Sequence, residues 1–340
     1  MEDCMAALKR QTYSHFDVLI VDNGSADGSP EYLRSIEGPL FEESLGPGSA
    51  GSAAPAVHTI FLQENTGFSG AVNAGIAAAG TEYVVLLNND TRVHPDYLKE
   101  LANVFAGDTE RRIFAVSPRM IQMYHPELLD DAGDGYNLLG WGFQRGVGRP
   151  VNARKFRKAA EIFSACAGAA AYRRSILEEI AYRKGEIYFD PLHFAYLEDL
   201  DISFRARIRG YEIVYAPRAK VLHVGSGTSG SKYNAFKVRL AARNNVYLNY
   251  KNMPLLMLLF NLPGILAGVG IKQLFFLRRG FGREYAQGFA EGLRTLSKCR
   301  EHKVRYLPGR TRHYFRIEAM LLRDTFSYIG DFLSRKLLGS

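Results

Sequence analysis

Tyr83-Val84-Val85-Leu86-Leu87-Asn88-Asn89-Asp90 is the stretch on which the reading of this chain turns. Five residues that favour a strand run straight into two amides and a carboxylate, the pattern of a buried strand delivering polar groups to the edge of a crevice. Open α/β sheets bind their ligands at such edges. A carboxylate there suits Mg2+ or Mn2+, hard cations that take oxygen ligands and arrive with substrate phosphates. Asp90 is therefore a candidate metal ligand. The same polar residues would also turn the chain and cap a helix starting near Pro95, so the rest of the sequence has to decide.

Upstream, Phe16 to Val21 reads as a strand running into Asp22 and the turn-dense Asn23–Ser29, and Pro30 opens a short helix. Val57 to Leu62 is a second strand. After it, Asn65-Thr66-Gly67-Phe68-Ser69-Gly70 leads into a helix carrying Asn73 and Gly75. Strand, Gly-rich turn, helix, strand is the βαβ rhythm of a doubly wound, mostly parallel α/β sheet. In such a sheet Asp22 and Asp90 tip toward one crevice, where Asp22 can accept a hydrogen bond from a base or ribose. Gly67 and Gly70 let the backbone approach a ligand, and the helix after them offers its positive end to phosphate. A tight turn alone would account for the same glycines. Residues 37–56, rich in Gly, Ser, Pro and Ala without periodicity, are expected to form a mobile surface loop.

Downstream, Pro95 to Phe105 is expected to be helical, Ile113 to Ser117 a strand, and Tyr172 to Ile180 a helix, while Asp130 to Gly148 is crowded with glycines and shows no period. Glu198, Asp199 and Asp201 place three carboxylates at the head of a helix reaching about Arg209. They complement a helix dipole. They also fit a general base, because crowded carboxylates beside apolar Phe194 and Leu197 raise one another's pKa. Two strands follow, Glu212–Tyr215 and Ala219–Val224. His223, near the end of the second and just before Gly225-Ser226-Gly227-Thr228, is a candidate metal ligand or diphosphate contact, or else a structural histidine.

These stretches, in this order, resemble the family 2 glycosyltransferases of the GT-A fold, most closely their rhamnosyltransferase-like members that build bacterial surface polysaccharides. The matching pieces are Gln11-Thr12-Tyr13, Val18–Ser29, Glu64–Phe68, Leu86–Asp90, Ala167-Gly168-Ala169 with Arg173-Arg174, Tyr196–Asp201 with Phe204-Arg205, and His223. The resemblance covers about residues 10–250. It implies a nucleotide-diphosphate sugar donor whose base meets Asp22, with Asn65, Gly67, Asn73, Asn88 and Asn89 lining the donor site. It puts Asp90 at the last place of the DxD-like motif that holds the cation, Asn88 standing where many relatives carry an acid, and His223 with the metal. It makes Asp199 the base on the acceptor hydroxyl, Glu198 being the alternative. An inverting displacement needs those two elements, a base on the acceptor and a cation on the leaving diphosphate. Relatives begin with a strand ending in a Pro-Thr-Tyr-Asn-like turn, and Met1 falls about where the following helix should be, so a longer native protein is expected.

With 340 residues, 47% of them apolar, the chain can bury a large core. Its formal charge of +8 is uneven: residues 272–340 hold 15 Lys/Arg against 6 Asp/Glu, or +9, leaving −1 for the rest. A basic tail on a near-neutral body points to an anionic partner, a membrane surface or nucleic acid. The tail carries no recognised nucleic-acid motif. Met253 to Ile271 is uncharged, yet Pro254, Asn261, Pro263, Gly264, Gly268 and Gly270 make a poor lone span. Together with the later arginines, it is expected to lie on an anionic inner leaflet. Cys4, Cys166 and Cys299 are far apart with no CxxC pair, which argues against a disulfide framework or a zinc site and fits a reducing cytosol, and Met1–Arg10 has no signal-peptide core. The expectation is a catalytic domain over 1–250 and a basic, apolar helical region over 251–340, at the cytoplasmic face of the plasma membrane. The rivals are a nucleotidyltransferase, which would want a basic phosphate loop near the chain start, and a truncated or non-catalytic relative that binds nucleotide sugar weakly.

Overall fold

The computed structural model describes residues 1–40, 55–225 and 233–337; the centre of the 37–56 segment and Ser226, Gly227 and Thr228 lie outside them. The amino-terminal half alternates as its pattern requires: α1 (Glu2–Leu8), β1 (Val18–Asp22), α2 (Ser29–Ser35), β2 (Gly38–Pro39), β3 (Ala56–Phe61), α3 (Gly67–Ala78), β4 (Tyr83–Val85), β5 (Thr91–Val93), α4 (Tyr97–Ala106) and β6 (Ile113–Gln122). Pro30 sits in the first turn of α2, where its missing N–H costs nothing. Then come β7 (Leu129–Asp131), β8 (Asp134–Tyr136), β9 (Gly142–Gln144), β10 (Ala160–Glu161), β11 (Ala171–Arg173), α5 (Arg174–Ile180), α6 (Glu198–Arg209) and β12 (Glu212–His223). Four helices complete the chain, α7 (Ala235–Asn252), α8 (Leu255–Arg278), α9 (Gly282–Arg294) and α10 (Thr311–Leu337).

The sheet is mixed, where a mostly parallel one was expected. Among the described residues, β1 with β3 and β6 with β12 run parallel and the other ladders are antiparallel. It also comes in pieces, one ordered β1-β3-β2, one β10-β12-β6-β11-β4 with β5 and β7 paired at its side, and a two-stranded β8-β9 ribbon. Tyr83–Val85 thus lies at an end of its sheet and is shorter than its apolar run. The pairing loosens beyond Val85, with the N–H groups of Leu86 and Asn88 donating to Ala170 (2.9 Å) and Gly168 (2.8 Å). Tyr172 is a second correction. It belongs to strand β11, between β4 and β6, and the helix starts only at Arg174. An aromatic residue wholly buried in the sheet outweighs the helical pattern that follows it. The two strands expected after Glu212 are one, bulged between Ala216 and Lys220 around Pro217.

Both faces of the larger sheet are covered. Ala171 packs with Val116, Tyr97 and Leu101 on the α1/α4 side, and Tyr172 with Phe114, Ile176 and Ile202 on the α5/α6 side. A third core, of Tyr136, Phe204, Leu248, Met257 and Ile317, joins α6 to the carboxy-terminal helices. That junction holds an ion network whose lysine and carboxylates are wholly buried, with His302 at its edge. Lys251 pairs with Asp190 and with Asp201 (2.8 Å), Asn252 donates to Asp201 (2.7 Å), and His302 Nδ1 stands 3.0 Å from Asp190. Burial alone would strip the proton from Lys251; the facing carboxylates reverse that and push its pKa above the ordinary range.

Candidate active site

Antiparallel pairing of β5 with the end of β12 sets His223 opposite Thr91, and the Val224 N–H donates to the Asp90 carbonyl (3.1 Å). Asp90 and His223 become neighbours this way, with His223 Nε2 3.4 Å from Asp90 Oδ1. On the other side of the ring, β7 brings Asp130, whose Oδ2 lies 2.7 Å from Nδ1. Burial draws the imidazolium pKa down, but the hydrogen bond to Asp130 and the negative charge of the nearby Asp90 carboxylate outweigh it and hold the group at about 9. With Nδ1–H donated to Asp130, Nε2 is left facing Asp90, as an outer carboxylate orients a metal-ligating histidine. Asp90 Oδ1 is buried and accepts no hydrogen bond among the described residues. An oxygen without a donor beside an oriented ring nitrogen is a donor set that a divalent cation fits, the imidazole giving up its proton on binding.

A second group of acids adjoins the first. Asp134 at the head of β8, Cys166, and Asp199 at the head of α6 bring one ligand-type atom each within 4.8 Å of the others. Burial, reinforced by Asp130 and Asp199, raises Asp131 to about 7, and burial with Asp131 and Asp199 raises Asp134 well above the usual carboxylate range. Asp199 stands at about 6 through burial, although its Oδ1 accepts the Leu200 N–H (2.7 Å). Glu198 stands at about 8, through burial and then the Asp199 charge, and its Oε2 accepts no hydrogen bond among the described residues. These carboxyl groups are poised to exchange protons near neutral pH. Asn88 lies beside the second group, against Gly168: a Cβ on that glycine would lie 3.1 Å from Asn88 Nδ2 and 3.6 Å from Cys166 Sγ. Asn89 is exposed beside it. Asp201, by contrast, points into the Lys251 network.

The neighbouring wall is built from β1 and α3. Asp22, 6% exposed, accepts the Ser25 N–H (3.2 Å). Asn23 clamps the turn ahead of α3, donating to Asn65 Oδ1 and the Gly67 carbonyl (both 3.1 Å) and accepting from the Thr66 N–H (2.9 Å). Gly67 has φ +75°, and a Cβ on it would lie 2.5 Å from the Phe194 ring. Ser69 N–H donates to the Phe194 carbonyl (3.1 Å), and Phe194, Tyr196 and Leu197 themselves take φ of 61°, 72° and 69°. The turn under α3 therefore holds a strained loop that delivers Glu198 and Asp199. Asn73 ties α3 to the Tyr188–Phe189 backbone, donating to Phe189 O (2.7 Å) and accepting both N–H groups. Nothing in the sequence singles out Asp130, Asp131, Asp134, Cys166 or Asn23 as site residues. Three aspartates within the five residues Asp130–Asp134, at the start of a glycine-crowded aperiodic stretch, are the available signal.

A putative glycosyltransferase EpsH of Bacillus subtilis is 28% identical over 107 residues, 32% of this chain, and the match takes in only 27% of that relative's length. An N-acetylglucosaminyl-diphospho-decaprenol L-rhamnosyltransferase of Mycobacterium tuberculosis is 24% identical over 247 residues, covering 68% of this chain and 73% of the relative. Among solved structures, a mannosyltransferase of Pyrobaculum calidifontis in complex with GDP-Man and Mn2+ is 16% identical, covers 87% of this chain and 83% of its own, and superposes with a TM-score of 0.48. The α/β sheet with flanking helices and a carboxy-terminal helical region is the GT-A architecture. The model of glycosyl transferase family 2 matches residues 1–181, more than half of the molecule, and the chain belongs to that family.

Proposed function

We propose that this protein transfers a sugar, with inversion, from a nucleotide-diphosphate donor to a surface polysaccharide or lipid-linked glycan. The observation that carries the reading is the facing pair of Asp90 Oδ1 and His223 Nε2, 3.4 Å apart, together with the carboxyl groups of buried Glu198 and half-buried Asp199. Asp90 and His223 would hold a divalent cation, Mg2+ or Mn2+, which when bound would supply positive charge to the leaving diphosphate. Asp199, or Glu198 in its place, takes the proton of the acceptor hydroxyl while that oxygen bonds to the anomeric carbon and the bond to the diphosphate breaks. Asp22 receives the base, and Asn65, Gly67, Asn73, Asn88 and Asn89 line or brace the donor site. The name of the mycobacterial relative makes rhamnose the first sugar to try and a diphospho-polyprenol the first acceptor.

The same reading places the protein on the inner face of the plasma membrane. Among the described residues α8 is the one helix long and apolar enough to cross a bilayer. One side of it is docked on the body: a Cβ at Gly264 would lie 2.5 Å from the Leu138 carbonyl, and Asn261 donates to Glu318 of α10 (2.6 Å). The other side exposes Leu256 (82%) and Phe260 (75%). A helix with one side fastened to protein and one apolar side free lies on a membrane rather than through it.

Thermal-shift titration with a panel of nucleotide sugars, with and without Mn2+, identifies the donor. Donor hydrolysis by Asp90→Ala and Asp199→Ala then tests the site. Each is expected to fall about 100-fold or more. Equal rates in the wild type and both variants would overturn catalysis here.

A further inference from the structure

The proposed reaction leaves a strongly basic cleft unused. Where the end of α6, the start of β6 and the first turn of α10 meet, a cavity of about 610 Å3 is lined by Arg112, Arg209, Arg310, Arg312, His313 and Arg316, with no carboxylate in its lining. Acids at its rim engage part of this charge. Glu212 lies 3.0 Å from Arg112 and 3.3 Å from Arg316, Glu110 lies 3.5 Å from Arg112, Glu161 lies 2.9 Å from Arg316, and Glu179 lies 3.5 Å from Arg209. Arg310 and Arg312 form no ion pair among the described residues; Arg310 donates to the Arg209 carbonyl (2.8 Å) and Arg312 approaches His313 (3.5 Å). His313 is 7% exposed and packs where only a glycine, Gly210, leaves room for its ring. Burial first, then the charges of Arg312, Arg310, Arg316 and Arg112, draw its pKa below the ordinary range. The guanidinium groups of Arg310 and Arg312 thus stand in the cleft with no counter-ion among the described residues, beside an imidazole whose protonation the surrounding charge disfavours.

Guanidinium groups match phosphate oxygens in pairs, and the first turn of α10 adds free N–H groups and a positive dipole end. The volume suits a small ligand or headgroup. We propose that this cleft is a binding site for a phosphate group, separate from the Asp90–Asp199 site. Phe315, next along α10, is 71% exposed, and Leu322 and Phe326 continue an exposed apolar run, so the phosphate belongs either to a lipid headgroup or to a soluble ligand.

The test uses the full chain in EDTA, which removes divalent cations from the Asp90 site. Binding of inorganic pyrophosphate is measured by calorimetry, and binding to vesicles of phosphatidylglycerol with phosphatidylcholine, against phosphatidylcholine alone, by flotation. Wild type, Arg310→Gln/Arg312→Gln, Arg312→Gln alone and Asp90→Asn are compared, with Tm as the folding control. The proposal requires at least tenfold weaker binding of one probe in the double variant, a smaller loss in the same direction for Arg312→Gln, and no change in Asp90→Asn. Loss of pyrophosphate binding assigns a soluble ligand; loss confined to anionic vesicles assigns a headgroup. A wild type that binds neither probe, or a double variant within tenfold of wild type on both, overturns it. Donor hydrolysis by the double variant stays at the wild-type rate, which separates this site from the proposed catalytic one.

Discussion

Glu198 and Asp199 are adjacent in sequence and unlike in setting. Glu198 is pushed to about 8 by burial and its neighbour's charge, Asp199 to about 6 by burial against the hydrogen bonds it accepts. A base works only unprotonated, so kcat/KM for transfer should climb with pH between about 6 and 8 at constant Mn2+, with the lower pKa set chiefly by Asp199. Asp199→Asn should lose that limb along with most of the rate. A profile from pH 5 to 9 for both enzymes checks it. These two residues could be named from the sequence because three acids beside apolar neighbours announce themselves. Asp130, Asp131 and Asp134 could not, since a glycine-rich stretch without period does not show which way its side chains turn; only the β6–β7 return aims Asp130 at His223. The pairing of His223 with Asp90 was likewise invisible as geometry, because it depends on β5 folding back along the end of β12.

Among the elements, α3 does more than offer a dipole. Gly67 at its start lies against Phe194, so Gly67→Ala would force a side chain into a left-handed φ and into the ring. The expected result is about 1–3 kcal/mol of lost stability and a displaced Glu198–Asp199 loop, read as a lower Tm and a KM for donor raised together with a lowered kcat. At the other end of the site, α7 contributes Lys251 to a buried network. Lys251→Met leaves Asp190 and Asp201 short of their counter-ion, a loss of about 3–5 kcal/mol. A Tm lower by roughly 10 °C would show it. Most helices and the strands flanking them were legible, because amphipathic period and turn chemistry are local. β11 and the single bulged β12 were not, because strand membership there is decided by partners distant in the chain.

For the molecule as a whole, the sequence made plain an α/β body followed by a helical region, and hid how the sheet is pieced together. The exposed apolar side of α8 yields a test at this scale: Leu256→Ser and Phe260→Ser should each weaken binding to anionic vesicles about tenfold, measured by flotation at low salt, while leaving donor hydrolysis intact. The Lys251 network bears on how the chain can be made. On a ribosome, Asp190 and Asp201 emerge well before the amine that neutralises them, so the body waits, half finished, for α7 to leave the exit tunnel. A gene cut at codon 250 would never end that wait, and its product should be found in inclusion bodies.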